Sequence, residues 1–174
     1  MIFPQSGEYA TYYEKYLIRA KEAGDWKTAL AAQIEDVVAV FGNLTPEQAE
    51  FRYAPEKWTL REVLAHINDT ERVFAYRTLR IARGDTTPLP GFDQDVFAEA
   101  FQSVSVSLDY LIEEFIAIRK STMLLVHTFD EAVSVRMGTA SGYPVSVRAL
   151  VYIMIGHVAH HLEIIRTHYL PALS

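Results

Sequence analysis

The chain has 174 residues, half of them hydrophobic and 22% charged, with a formal net charge of −6 and no cysteine. That is enough chain for one domain with a real core, and it excludes a disordered polypeptide. The acidic balance argues against a nucleic-acid partner, and the missing thiols exclude disulfides, thiolate metal sites and a cysteine nucleophile, leaving His, Asp and Glu to hold any metal.

Residues 1–10 show neither the basic nor the apolar region of a secretory leader. The longest apolar run, 149–155, is far shorter than the ~20 residues of a membrane span. The expectation is a cytoplasmic protein without a membrane partner.

Residues 1–24 read as a polar lead-in holding a short helix that ends at Gly24. Its tyrosines Tyr9, Tyr12, Tyr13 and Tyr16 read as a packed lid or anchor more readily than as a binding face. Asp25 is an N-cap for a helix to about Gly42, with Ala29, Ile34, Val37, Val38 and Phe41 on its apolar face. Thr45-Pro46-Glu47 starts a short helix with proline at its first position. Residues 53–58 are an extended connector. Thr59 and Glu62 then form a capping box that opens a second long helix, running to about Arg83 and stopping at Gly84. His66 lies on the flank of that helix's apolar face. Asp69, Glu71, Arg72, Arg77, Arg80 and Arg83 read mostly as its solvated face.

Two prolines and two glycines make 84–95 the longest loop, and its Leu89 and Phe92 predict that it packs over something. Residues 96–102 are a broken helical stretch. The serine–valine alternation from Ser103 to Ser107 is read as a helix break, because no partner strand is evident. A third long helix spans about Ser107 to Phe129 on Leu108, Leu111, Ile112, Phe115, Ile118 and Leu125. A connector with Gly138 and Gly142 covers 131–144, and Ser146 caps a fourth helix reaching His168 or Tyr169 before Pro171. The reading is all-α: one domain over 1–174, a four-helix bundle with a long crossover loop between the second and third helices.

The fourth helix carries three of the six histidines. Leu150, Met154, His157, His161, Ile164 and His168 follow steps of four and three, the stripe that faces a partner helix. His157 and His161 are thus one turn apart, about 6 Å along the axis, and two imidazoles at that spacing can share a divalent metal. His66 would be the third ligand, leaving a position open for water or substrate. On the residues alone, a metal site and a set of satisfied core histidines are equally consistent. His160 lies about 100° round the helix and is expected to meet a neighbour or a subunit partner. His168 is too far along for the same metal, and His127 has no companion. Glu113 and Glu114 diverge on a helix; Asp93 and Asp95 are read as helix caps before metal ligands. Glu163 is expected to pair with Arg166 or Arg148 at the surface. No serine-hydrolase, P-loop or dinucleotide motif is present.

Three stretches resemble the DinB-like (DinB/YfiT) superfamily of metal-binding bundles. Trp58-Thr59-Leu60-Arg61-Glu62-Val63-Leu64-Ala65-His66 continuing to Asp69 and Glu71 is similar to its W-[ST]-x-x-E-V-L-x-H-x-x-D-x-E segment. Leu89-Pro90-Gly91-Phe92-Asp93-Gln94-Asp95 is similar to the loop before the third helix in that branch, and His157-Val158-Ala159-His160-His161 to the terminal H-x-x-H-H motif. The resemblance covers roughly 25 to 170 and implies a four-helix bundle whose metal ligands are His66, His157 and His161. It implies zinc or nickel as the metal and frequent homodimers. Its members are described as metal-dependent hydrolases, some as transferases that use a low-molecular-weight thiol such as bacillithiol, mycothiol or glutathione.

The expected function is therefore a metal-dependent transferase or hydrolase acting on a small molecule, with Asp69 and Glu163 as candidate partners for a histidine N–H. The alternatives are a non-enzymatic metal- or ligand-binding module of a stress response, and a bundle whose histidines are only core residues.

Overall fold

Each long helix opens on a side chain that satisfies its first free N–H groups. Asp25 accepts from the amide of Thr28, Thr59 and Glu62 complete a reciprocal capping box, Ser107 accepts from Tyr110, and Ser146 from Ala149. The computed structural model describes residues 1–102 and 104–173; Ser103, inside the serine–valine stretch, and Ser174 lie outside them. In chain order the helices are α1 (Glu14–Glu22), α2 (Trp26–Phe41), α3 (Pro46–Ala49), α4 (Leu60–Ala82), α5 (Gln94–Phe101), α6 (Leu108–His127), α7 (Glu131–Ser134) and α8 (Val147–Ile164).

The bundle is α2, α4, α6 and α8. Both α2 and α4 pack chiefly against α6 and α8, so the successive helices α2 and α4 lie across a diagonal. α8 is buried on nearly every side from Val147 to Val158, because α1 closes the face that the bundle leaves open. That closure needs Gly156: a Cβ there would sit 1.8 Å from the carbonyl oxygen of Tyr16. The backbones of α1 and α8 therefore touch one residue before His157.

The apolar core is divided. One cluster gathers Leu30, Phe74, Ile81, Val126 and the first half of α8; the other gathers Val37, Ile67, Leu111, Phe115, Val158 and Leu162. Between them runs a polar layer. Arg119, fully buried, donates to both carboxylate oxygens of Glu71 at 2.7 to 3.0 Å and to Oε1 of Gln33 at 2.7 Å. Gln33 donates onward to the carbonyl of Ile155 at 2.8 Å. One residue from each long helix is thereby tied at the same level.

Several expectations need correction. Glu71 and Arg77 are not on a solvated face; both are 2% exposed. Glu71 meets Arg119, while Arg77 donates to the carbonyl of Pro90 at 2.8 Å and to Ser141 Oγ at 3.0 Å. Helical periodicity read them as outward because their partners come from distant chain. Val38 is exposed, not core. The connector at 131–144 contains α7 and most of a hairpin, β1 (Met137–Ala140) against β2 (Tyr143–Ser146), antiparallel with Met137 opposite Ser146. Its two-residue turn, Ser141-Gly142, takes φ 54° and 82°, the geometry that suits a tight hairpin. Four-residue strands and Pro144 concealed it.

The loop after α4 does pack, as its apolar residues predict. Leu89 is buried, donates to the carbonyl of Thr139 at 2.9 Å, and accepts from the amide of Ser141 at 3.0 Å. The loop is thus pinned to the hairpin, and Phe92 is carried over α4 beside Phe74 and Arg77. Past Ile164 the chain widens into an i→i+5 turn over Ile165–Tyr169. The added residue turns His168 out of the α8 stripe, and its ring stacks on Tyr53 with centroids 5.2 Å apart.

Candidate metal centre

α4 and α8 are neighbours, and their facing surfaces bring three imidazoles together. Nε2 of His66 lies 3.0 Å from Nε2 of His157, and Nε2 of His161 lies 3.1 Å from the same atom. One ring nitrogen from each of the three lies within 4.8 Å of the others. Three nitrogens on one tetrahedral ion at 2.0–2.1 Å would be about 3.3 Å apart, so the spacing is close to that of a shared cation. The two histidines of α8 converge because they are one turn apart on one face; His66 reaches them because α4 packs along that face.

Without an ion the cluster cannot satisfy itself. Nε2 of a neutral imidazole carries either one hydrogen or one lone pair. His157 can therefore make one good hydrogen bond through Nε2, yet two ring nitrogens press on it. The donor set suits a borderline divalent metal: three neutral nitrogens and no thiolate.

Burial also holds the rings in their ligating form. It drives His66 down to about 4, and it drives His157 and His161 well below the ordinary histidine value, with the neighbouring imidazoles adding to the effect. At neutral pH all three are uncharged and their lone pairs are free for a cation.

A cavity of about 390 Å³ opens onto His66 and His157. Tyr12, Tyr13, Tyr16, Phe74 and Phe92 supply aromatic walls, and Gln94 and Ser141 also line it. Three of the four lead-in tyrosines, Tyr12, Tyr13 and Tyr16, which read as a packed lid or anchor more readily than as a binding face, thus line this site. Tyr16 sets its ring edge-on to both His157 and His160, with centroids 5.3 Å away in each case. The positions 12, 13 and 16 share one helical face, and that spacing was the available signal. Position 16 is fixed against His157 by the contact at Gly156.

The remaining candidates fall elsewhere. His160 is half-buried against Tyr16, and burial lowers it to about 4. His127 borders a surface groove with Trp26 and Met123. Asp93 caps α5 through the amide of Asp95, as expected. Glu114 accepts from Asn68 at 2.7 Å and Arg72 at 2.8 Å, while Glu113 is exposed. Glu163 pairs with Arg19 at 2.6 Å, and not with Arg166 or Arg148, because α1 covers that part of α8. Arg166 faces Asp36 and Arg148 binds Glu8. Asp69 lies near Arg72, and burial raises its carboxyl; among the described residues neither Asp69 nor Glu163 is hydrogen-bonded to a histidine.

Comparison with known proteins identifies the family and the fold. The model of the DinB superfamily matches residues 29–165, more than half the chain. A Bacillus pumilus protein named "Putative metal-dependent hydrolase" is 28% identical over 141 residues, which cover 79% of each chain. Among solved structures, YfiT of Bacillus subtilis, described as "a probable metal-dependent hydrolase with an unusual four-helix bundle topology", superposes with a TM-score of 0.75. At 15% identity, and with 94% of this chain and 91% of that one covered, it shares the fold. No helix among the described residues is long and apolar enough to cross a membrane.

Proposed function

Given that the chain belongs to the DinB superfamily, we propose that it is a metal-dependent hydrolase or transferase of a small molecule, with His66, His157 and His161 holding one divalent cation, zinc or nickel. The observation that carries this reading is the convergence of three neutral ring nitrogens at the inner side of an aromatic-walled cavity. Three protein ligands leave a position open, which is the pattern of a working site and not of a closed structural one. The name of the Bacillus pumilus relative points the same way.

The chemistry such an ion supplies is acidification of a water, or of a small thiol, to a nucleophile at neutral pH. The chain's own part is positioning. His157 and His161 are fixed by their turn of α8, and His66 by the packing of α4 on α8. Tyr13, Tyr16 and Phe92 give a small substrate flat surfaces to lie on. With no cysteine in the chain, a thiol nucleophile would come from a diffusible low-molecular-weight thiol.

Elemental analysis tests the site: wild type is expected to hold about one zinc or nickel per chain and His161→Ala none. With the metal restored, an ester and amide panel tests hydrolysis, and conjugation of a small thiol to an electrophile tests transfer. Metal at full content without turnover of either kind would favour a binding module; wild type that takes up no metal would end the reading.

A further inference from the structure

The hairpin turn holds one hydroxyl at the cavity under several constraints at once. Ser141 is half-buried and lines the cavity together with Gly91 and Phe92. Among the described residues it is the one residue other than glycine with a positive φ, at 54°. Glycine or asparagine takes that conformation at less cost, so a serine there is held against a local penalty. Two hydrogen bonds fix it. Its amide donates to the carbonyl of Leu89 at 3.0 Å, and its Oγ accepts from Nη2 of Arg77 at 3.0 Å. The direction of the second bond is forced, since a guanidinium only donates. The hydroxyl proton of Ser141 is therefore left over, and no acceptor among the described residues takes it. A Cβ on Gly91 would stand 3.5 Å from the same Oγ, so the glycine leaves that flank open. Arg77 is 2% exposed, pairs with no carboxylate among the described residues, and also donates to the Pro90 carbonyl at 2.8 Å. A hydroxyl that accepts from a charged donor is polarised and becomes the stronger donor itself.

We propose that Ser141 is a specificity-determining residue whose hydroxyl donates to a carbonyl oxygen of the substrate, so that the cavity selects carbonyl compounds with a flat apolar body. The proposal rests on the reading above that this cavity is the substrate site. The rings of Tyr13, Phe74 and Phe92 take the flat body. Arg77 is a positioning residue: it occupies the acceptor side of the Ser141 hydroxyl and turns the proton away from itself. The clasp between loop and hairpin thereby has a use beyond packing, because it holds the hydroxyl that reads the substrate.

The test is NMR titration of the isotope-labelled full chain with acetophenone and with ethylbenzene, which differ by a carbonyl oxygen, in EDTA so that no ion takes part. Wild type is expected to bind both, with amide shifts centred on Gly91, Phe92 and Ser141. In Ser141→Gly, which also releases the strain at φ 54°, the ratio of acetophenone to ethylbenzene affinity is expected to fall about three- to tenfold, the worth of one hydrogen bond. Ethylbenzene affinity is expected to stay unchanged. Ser141→Asp separates a substrate donor from a structural acceptor. Aspartate tolerates this backbone conformation, and its carboxylate still accepts from Arg77 but has no proton to give, so the ratio is expected to fall as far. A ratio kept by Ser141→Asp would mean that the serine serves only Arg77 and would overturn the proposal. So would a ratio kept by Ser141→Gly, an equal loss of both probes, or no binding of acetophenone by wild type. Metal content, measured on the same samples before EDTA, separates the two readings. Variants that load metal like wild type yet keep the ratio remove this proposal alone. A ratio that falls as expected in a protein that takes up no metal supports it without the hydrolase reading.

Discussion

The Glu71–Arg119 pair and the His66–His157–His161 triad are both polar clusters shared between α4 and another long helix, and Glu71 follows His66 by five residues along α4. They differ in whether the protein alone completes them. Arg119 spends its donors on Glu71, Gln33 and the carbonyl of Leu30, and Gln33 passes the network to α8. In the triad, ring nitrogens of His66 and His161 both press on Nε2 of His157, and no proton arrangement of neutral rings satisfies both contacts. A finished buried cluster fixes how helices meet; an unfinished one is a request for a ligand. The first holds the frame in which the second is aimed.

The largest effect should come from opening the finished cluster. Arg119→Met leaves Glu71 buried without its partner and is expected to cost about 3 to 5 kcal/mol in urea unfolding, with most of the loss recovered when Glu71→Leu is added. If the single variant is as stable as wild type, the two clusters do not differ in the way described. Next is completion of the unfinished one. Zinc at one hundred times its Kd is expected to stabilise wild type by about 2.7 kcal/mol and to leave His161→Ala unchanged; equal stabilisation of both would remove the distinction.

Gly156→Ala separates the metal ligands from the aromatic wall. The added methyl meets the Tyr16 carbonyl at 1.8 Å, so α1 must shift. The expected cost is about 1 to 3 kcal/mol in urea unfolding, with metal content retained. Loss of metal as well would show that α1 supports the triad directly.

Close to neutral pH the smallest effect is acidification. Burial lowers His66 from 6.5 to about 4 and lowers His157 and His161 in the same direction. Between those values the unfolded chain takes up protons that the folded one refuses, so metal-free stability is expected to fall as pH drops from 6.5 toward 4. Urea midpoints at pH 7.5, 6.5 and 5.5 in EDTA check this, with a shallower slope in His66→Phe. A flat profile would mean that the rings are not held neutral by burial.

Much of this was legible in the order of residues. Asp25, Thr59 and Ser146 announce their helices because caps are local chemistry; the capping role of Ser107 appears only in the structure. His157 and His161 announce a shared face because helical spacing is local geometry. What failed were residues whose partners arrive from far along the chain. Arg77 reads as solvated until the loop and hairpin meet it, Glu71 until α6 does, and Tyr16 reads as packing until Gly156 lets α1 touch α8. The hairpin escaped because four-residue strands give too few alternations to register.

The sequence by itself determined an all-α bundle, its helix starts, and a pair of histidines one turn apart, since each follows from interactions within a few residues. Only the tertiary structure decided how closely His66 approaches that pair, and that Tyr12, Tyr13 and Tyr16 from the lead-in wall the cavity beside it. Those are contacts between residues tens of positions apart, and helix packing, not local propensity, sets them.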